Sequence, residues 1–222
     1  MSEALIPQTL LEVCNLACER DGRTLFAGVD FALVAGAALQ IQGANGTGKT
    51  TLLRTLTGSA GGYRGEIRWR GRSLPGGLPA LRESLLYIGH REGVRRGLTP
   101  LENLSWYGAD TAAAYRALQQ LGLQGFEDSL CQRLSAGQNR RVALARLYLP
   151  QPPRLWILDE PLAALDADGV ASLEARMARH LAGGGIVLFT SHQPVALDGI
   201  QTVDLADFAP AGDFVEGAYA FG

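Results

Sequence analysis

The stretch Gly43-Ala44-Asn45-Gly46-Thr47-Gly48-Lys49-Thr50 constrains this chain more than any other. It fits GxxxxGK[ST], follows a strand-like apolar run at Ala38 to Gln42 and opens helical spacing from Gly48 to Gly58, which is the setting the pattern requires. There the glycines let backbone N–H groups turn inward around a phosphate chain, and the helix N-terminus adds positive potential. Lys49 neutralises the β and γ phosphates and the Thr50 hydroxyl can ligate Mg2+. Thr51, next along the helix, counts with Gly43 to Thr50 among the expected nucleotide contacts. Gly46 and Gly48 lack the third glycine of a dinucleotide fingerprint, which disfavours that class of cofactor. A plain glycine-rich turn is the alternative, and it is not negligible in a chain with 28 glycines.

Residue usage weakens that alternative. Lys49 is the only lysine; every other basic side chain among the 20 is arginine. A compact ammonium on a flexible stem fits inside a nest of backbone groups where a broad guanidinium fork does not.

Similar apolar runs recur at Leu85 to Gly89, Leu155 to Leu158 and Ile186 to Thr190, with helical stretches at Gln138 to Leu149 and Asp166 to Leu181, the latter capped by Asp166. This is an α/β pattern with a mostly parallel sheet, whose function collects at the carboxyl ends of its strands. Leu10 to Leu39 reads as short strands around an Asp21-Gly22 turn, an antiparallel layer attached to the main sheet. Leu101 to Tyr107 and Thr111 to Leu121 suggest a helical insertion. The expected division is one domain in which 1–90 and 150–222 form the α/β core and 91–149 a helical subdomain.

Composition removes several classes of function. Twenty basic and 22 acidic side chains leave a net charge of -2, which gives no pull toward nucleic acid. With 47% hydrophobic and 19% charged residues the chain is globular rather than disordered. Cys14, Cys18 and Cys131 form neither a disulfide framework nor a zinc knuckle. No run approaches a membrane span, and Met1 to Leu10 lacks the layout of a secretory signal, so a cytosolic chain is expected.

Two further motifs supply chemistry. Leu155-Trp156-Ile157-Leu158 runs into Asp159 and Glu160. At a strand end Asp159 can hold the Mg2+ hydration shell, and Glu160 can act on the attacking water as general base; an ordinary acidic strand end before Pro161 is the alternative. Leu134-Ser135-Ala136-Gly137-Gln138 precedes a helix that Ser135 can cap while Gly137 offers an N–H to an anion, although such a sequence can also be only an N-cap. One lobe cannot easily bend this second grip onto its own cradle, so the economical arrangement has it complete the site of a facing copy.

In this order the motifs resemble the ATP-binding cassette (ABC) ATPases, over essentially the whole chain. The resemblance implies a P-loop nucleotide-hydrolase core, ATP and Mg2+ as ligands, and a head-to-tail homodimer sandwiching two nucleotides. Each would be held by Lys49 and Thr50 of one copy and by Ser135, Gly137 and Gln138 of the other. It implies that Asp166 lies in the D-loop and that His192, in Thr190-Ser191-His192, contacts the γ phosphate. Three positions depart from the family pattern. Ala136 replaces a glycine; His90, with Arg91 beside it, stands where a metal-linked glutamine is usual; and Arg20 stands where an aromatic ring usually stacks on adenine, which loosens base selectivity.

A single short cassette is similar to the separate motor subunits of transporters, docked on an integral-membrane permease at the cytoplasmic face of the inner membrane. Cys18-Glu19-Arg20-Asp21, Arg23-Thr24-Leu25-Phe26, Tyr87-Ile88-Gly89-His90, Gly93-Val94, Leu98-Thr99 and Glu102-Asn103-Leu104 resemble the haem-exporter ATP-binding subunits of cytochrome c maturation. The resemblance implies ATP-driven haem export, or release of a haem-loaded chaperone. A motor for another cargo and a soluble regulatory ATPase are the alternatives. The expected docking face is Arg91 to Tyr107, where Arg95, Arg96, Trp106 and Tyr107 mix charge with aromatic surface.

Overall fold

A computed structural model describes residues 9–90, 93–163 and 165–210; Arg91, Ala164 and most of Met1 to Leu10 lie outside them. In chain order the elements are β1 (Thr9–Arg20), β2 (Arg23–Val34), β3 (Ala38–Gln42), α1 (Lys49–Leu56), β4 (Tyr63–Trp69), β5 (Arg72–Ser73), α2 (Leu78–Ser84) and β6 (Leu85–Ile88). There follow α3 (Pro100–Ser105), α4 (Thr111–Gln119), α5 (Ala136–Ala145), β7 (Leu155–Leu158), α6 (Ala167–Ala182), β8 (Ile186–Thr190) and β9 (Gln201–Asp204).

β3, β6, β7, β8 and β9 form a five-stranded sheet in the order β6-β7-β8-β3-β9, with every pairing parallel. Successive side chains of a strand face opposite ways, and β7 and β8 are buried at every position, so both faces of the sheet are covered. Leu155, Ile157, Ile186 and Leu188 pack with α1 and the antiparallel layer. Trp156, Leu158, Val187 and Phe189 pack with α4, α5 and α6 through Leu118, Val142, Leu144, Leu173 and Met177. The helical insertion thus shares its core with one face of the sheet. Among the described residues of 93–149 there is no strand, and no described helix is long and apolar enough to cross a membrane.

The antiparallel layer differs from its sequence reading in two respects. β1 and β2 are 12 residues each rather than short, joined through Asp21 and Gly22, both at positive φ as a tight hairpin demands. Register shifts at Val13/Leu16 and Leu16/Cys18 break the two-residue alternation, so one long strand reads as several. Among the described residues no strand ladder joins the layer to the main sheet, so the expected attachment is by packing. β4 and β5 complete it as a separate sheet, β2-β1-β4-β5, that packs on the parallel sheet through side chains such as Phe26, Ile67 and Trp69.

Local chemistry sets the helix ends. Ser135 accepts from the Gln138 N–H and Gln138 Oε1 accepts from the Ser135 N–H, a reciprocal cap that starts α5 at Ala136, two residues before the expected Gln138. The far end tightens into a 3-10 turn, Arg146–Tyr148, ahead of Pro150. Asp166 caps α6 as expected, accepting from the Gly169 N–H. Near the end of α6, His180 stacks on Trp156 with ring centroids 3.7 Å apart, and its Nε2 lies 3.0 Å from the Arg154 carbonyl. Burial pulls the His180 pKa from 6.5 to about 4, so the ring is neutral at pH 7. A side chain at Gly185 would collide with it.

Candidate nucleotide site

The carboxyl ends of β3, β6, β7 and β8 open on one rim of the parallel sheet. Gly43 to Gly48 form the loop from β3 into α1. Gly48 begins the helix at φ 103, without a side-chain cap, so the first N–H groups of α1 are left for an external acceptor. A Cβ at Gly48 would lie 3.1 Å from the Phe26 ring and 3.2 Å from Leu25, so close packing against β2 adds to the backbone requirement. Lys49 Nζ donates to the loop's own carbonyls, Gly43 at 2.6 Å and Ala44 at 3.2 Å, which holds the ammonium at the mouth of the loop. Thr47 Oγ1 donates to the Ala44 carbonyl at 2.9 Å and closes the turn.

From Thr50 a chain of hydrogen bonds runs across the rim. Thr50 Oγ1 donates to Asp159 Oδ2 at 2.8 Å, and Thr190 Oγ1 donates to Asp159 Oδ1 at 2.9 Å. The Glu160 N–H donates back to Thr190 Oγ1 at 2.8 Å. Asp159 is buried, so its two oxygens are fixed by two threonine hydroxyls on separate elements. Glu160 adopts φ 51, an uncommon conformation for a residue other than glycine. Its Oε1 is buried without a hydrogen bond among the described residues and stands 3.4 Å from His192 Nε2. A buried carboxylate oxygen left unpaired is costly, and a water or a ligand group would satisfy it.

Lys49, Thr50, Asp159, Glu160 and His192 line one open cavity of about 400 Å³, into which Arg20 and His90 also face. Ala44, Asn45, Gly46, Gly48 and Thr51 belong to the same wall, while Gly43 lines an adjoining cavity with His192. Leu25 also lines the site and was missed in the sequence, where nothing marks it apart from its neighbours in β2. The second grip stands apart. Ser135, Gly137 and Gln138 at the head of α5 do not line this cavity, nor does Asp166, which faces a separate cleft with Arg141. Arg141 Nη2 lies 3.1 Å from Asp166 Oδ2, and with the Gly169 N–H it holds that carboxyl below its usual range.

For a divalent cation the donor set is hard oxygen, Thr50 Oγ1 and Asp159 Oδ2, already within hydrogen-bond distance of each other. Among the described residues no group of three or more His, Cys, Asp or Glu side chains is placed to hold a metal ion. Two protein oxygens beside a phosphate cradle fit Mg2+, which keeps several waters and takes phosphate oxygens rather than an all-protein cage.

Two other residues at the rim were not singled out in the sequence. Arg140 lies inside the helix that follows Ser135, where motif spacing alone gives no sign that it points inward. Thr190 stands two residues before His192 and reads as the end of a buried strand.

Residues 26–163 match the ABC transporter family. The cytochrome c biogenesis ATP-binding export protein CcmA of Escherichia coli O157:H7 is 53% identical over 200 residues, covering 88% of this chain and 96% of its own. The protein of the same name from Escherichia coli strain UTI89 is 50% identical over 206 residues, 91% and 99% of the two chains. Among solved structures, an ATP-binding subunit of an ABC transporter superposes with a TM-score of 0.72 at 29% identity, over 83% of this chain and 80% of that one. An ABC transporter ATP-binding protein from Pyrococcus furiosus gives 0.75 at 24% identity, over 90% and 99%, which speaks for the fold.

Proposed function

Because the chain belongs to the ABC transporter family of ATPases, we propose that it is the ATP-hydrolysing subunit of a transporter for c-type cytochrome biogenesis. Its work would be haem export or release of a haem-loaded chaperone. The observation that carries the ATPase reading is the meeting of Lys49, Thr50, Asp159, Glu160 and His192, from two strand ends and a helix start, on one cavity. The cytochrome assignment rests on the 53% identity to the export protein.

In this reading the N–H groups of Gly46 to Thr50 and the Lys49 ammonium hold the triphosphate. Thr50 and Asp159 hold Mg2+, which when bound neutralises charge on the phosphate oxygens. Glu160 takes a proton from the water that attacks the γ phosphorus, its Oε1 being the unpaired acceptor at that point. His192, beside it, keeps that carboxylate aimed and contacts the γ phosphate. His90 lines the same cavity at the root of the helical subdomain and stands in for the metal-linked glutamine. Arg20 offers a guanidinium plane to the base, which gives little discrimination between purines.

Ser135, Gly137, Gln138 and Asp166 act on the nucleotide of a facing copy, which explains why they sit apart from the chain's own cavity. Loss of the γ phosphate then separates the copies. The membrane partner docks on the face that carries Trp106 and Tyr107, which are 63% and 44% exposed. Arg95 lies 3.6 Å over the first ring and Arg146 lies 4.0 Å over the second. Exposed aromatic rings paired with guanidinium groups are the composition of interface anchors. The chain would then sit peripherally on the cytoplasmic side of the inner membrane. In cells lacking the gene, holo-cytochrome c should be lost, and it should return with the wild-type chain but not with Glu160→Gln. Restoration by that variant would reject the reading.

A further inference from the structure

Arg140 is a buried cation on α5, 6% exposed, between the buried Asn139 and Arg141 and shortly before the apolar Val142, Ala143 and Leu144. Burying a guanidinium is unfavourable unless it is well hydrogen-bonded. Three of its bonds go to backbone carbonyls just past two strand ends: Nη1 to Gly89 at 2.8 Å, and Nη2 to Asp159 at 2.6 Å and Glu160 at 2.9 Å. On the opposite side of the same residue, the Glu160 N–H is held by Thr190 Oγ1. The Glu160 backbone is therefore gripped at its carbonyl by one side chain and at its N–H by another, in a left-handed conformation that other residues seldom adopt unless held.

We infer that Arg140 and Thr190 are positioning residues for Glu160: they clamp its backbone so that the carboxylate points into the nucleotide cavity. The inference rests on Glu160 being the proton acceptor. These bonds of Arg140 go to carbonyl oxygens, and through them it sets the direction of the Glu160 backbone. It also sits one turn beyond the Ser135 cap, so α5 carries both the grip for a facing copy and the hold on this copy's Glu160.

The test is single-turnover ATP hydrolysis together with MgATP affinity, for Arg140→Lys, Thr190→Val, Thr190→Ser, Glu160→Gln and the doubles with Glu160→Gln. Misaiming a reacting group by an ångström costs up to about 100-fold, so Arg140→Lys should slow cleavage roughly 10- to 100-fold while MgATP affinity changes less than about 3-fold; Thr190→Val, which also takes the donor from Asp159 Oδ1, should slow cleavage at least as much and weaken MgATP binding too. Thr190→Ser, which keeps the hydroxyl, should cleave near the wild-type rate. In the Glu160→Gln background Arg140→Lys should not slow cleavage further, because it acts through that carboxylate, and Thr190→Val should keep only the part of its loss that comes through Asp159. Unchanged rates in the single variants, a loss of affinity in Arg140→Lys equal to its loss of rate, or a full additional loss in the doubles would overturn the clamp. If Arg140→Lys does not fold, the two Thr190 variants decide: a gap in cleavage rate between serine and valine that shrinks in the Glu160→Gln background supports the clamp, and no gap, or the same gap in both backgrounds, rejects it. Normal turnover by Glu160→Gln alone would instead reject Glu160 as the acceptor, a result separate from any of these.

Discussion

His192 Nε2 and Glu160 Oε1 stand 3.4 Å apart, on the loops that leave two adjacent parallel strands. The sheet brings a carboxylate and an imidazole from distant parts of the chain to one point above the phosphate loop, and the carboxylate oxygen has no hydrogen bond of its own among the described residues. Glu160→Gln preserves the shape and removes the proton acceptor. It should bind MgATP about as tightly as the wild type, hold the chain as a dimer, and turn over roughly 100-fold or more slowly. Steady-state phosphate release and size-exclusion chromatography with MgATP measure both; near-normal turnover would reject Glu160 as the base.

Ser135 has two duties that separate in one variant. Within the chain its side chain caps α5, and losing such a cap costs about 1 kcal/mol of stability. Toward a facing copy its hydroxyl is proposed to hold phosphate. Ser135→Ala should therefore lower the melting temperature by a few degrees, leave nucleotide binding by the isolated subunit intact and abolish the ATP-dependent dimer. Dimerisation equal to that of wild type would confine Ser135 to capping.

Stability should fall in acid because of His180. Its folded pKa is about 4 against 6.5 unfolded, so the native state favours the neutral ring. The contribution is complete above pH 6.5 and is lost as pH falls from 6.5 toward 4, because the unfolded chain takes up the proton first. The shift corresponds to about 3 kcal/mol across that window. Urea midpoints at pH 7 and pH 4.5 should differ for the wild type and differ less for His180→Phe, which keeps a ring against Trp156.

Reversing charge at Arg95 and Arg96 should weaken recruitment to membranes without changing MgATP affinity, because both lie away from the nucleotide cavity. Sedimentation of the chain with membranes that carry its transporter partner reads this directly. Unaltered co-sedimentation would remove that face from the interface.

The site was legible because its residues cluster at strand ends, where a short run such as Leu155 to Asp159 declares both the strand and the group it presents. The phosphate loop carried its own context in β3 and α1. The clamp on Glu160 was not legible: Arg140 and Thr190 do their work on backbone atoms of residues far away in the chain, and that leaves no pattern of spacing. The antiparallel layer was only half legible, because bulges in β1 hide its length and because β4 and β5, rich in arginine and glycine, lack a clean alternation. α2 and β9 were missed as well. β9 alternates too briefly to stand out from the loop before it, and only its pairing with β3 makes it a strand.

Equilibrium titration of MgATP into the purified chain and into Lys49→Ala bears most directly on the phosphate cradle. The wild type should bind saturably, and the variant, without the ammonium that neutralises the β and γ phosphates, should bind at least about 10-fold more weakly. Equal binding by the two proteins, or none by the wild type, would contradict the site.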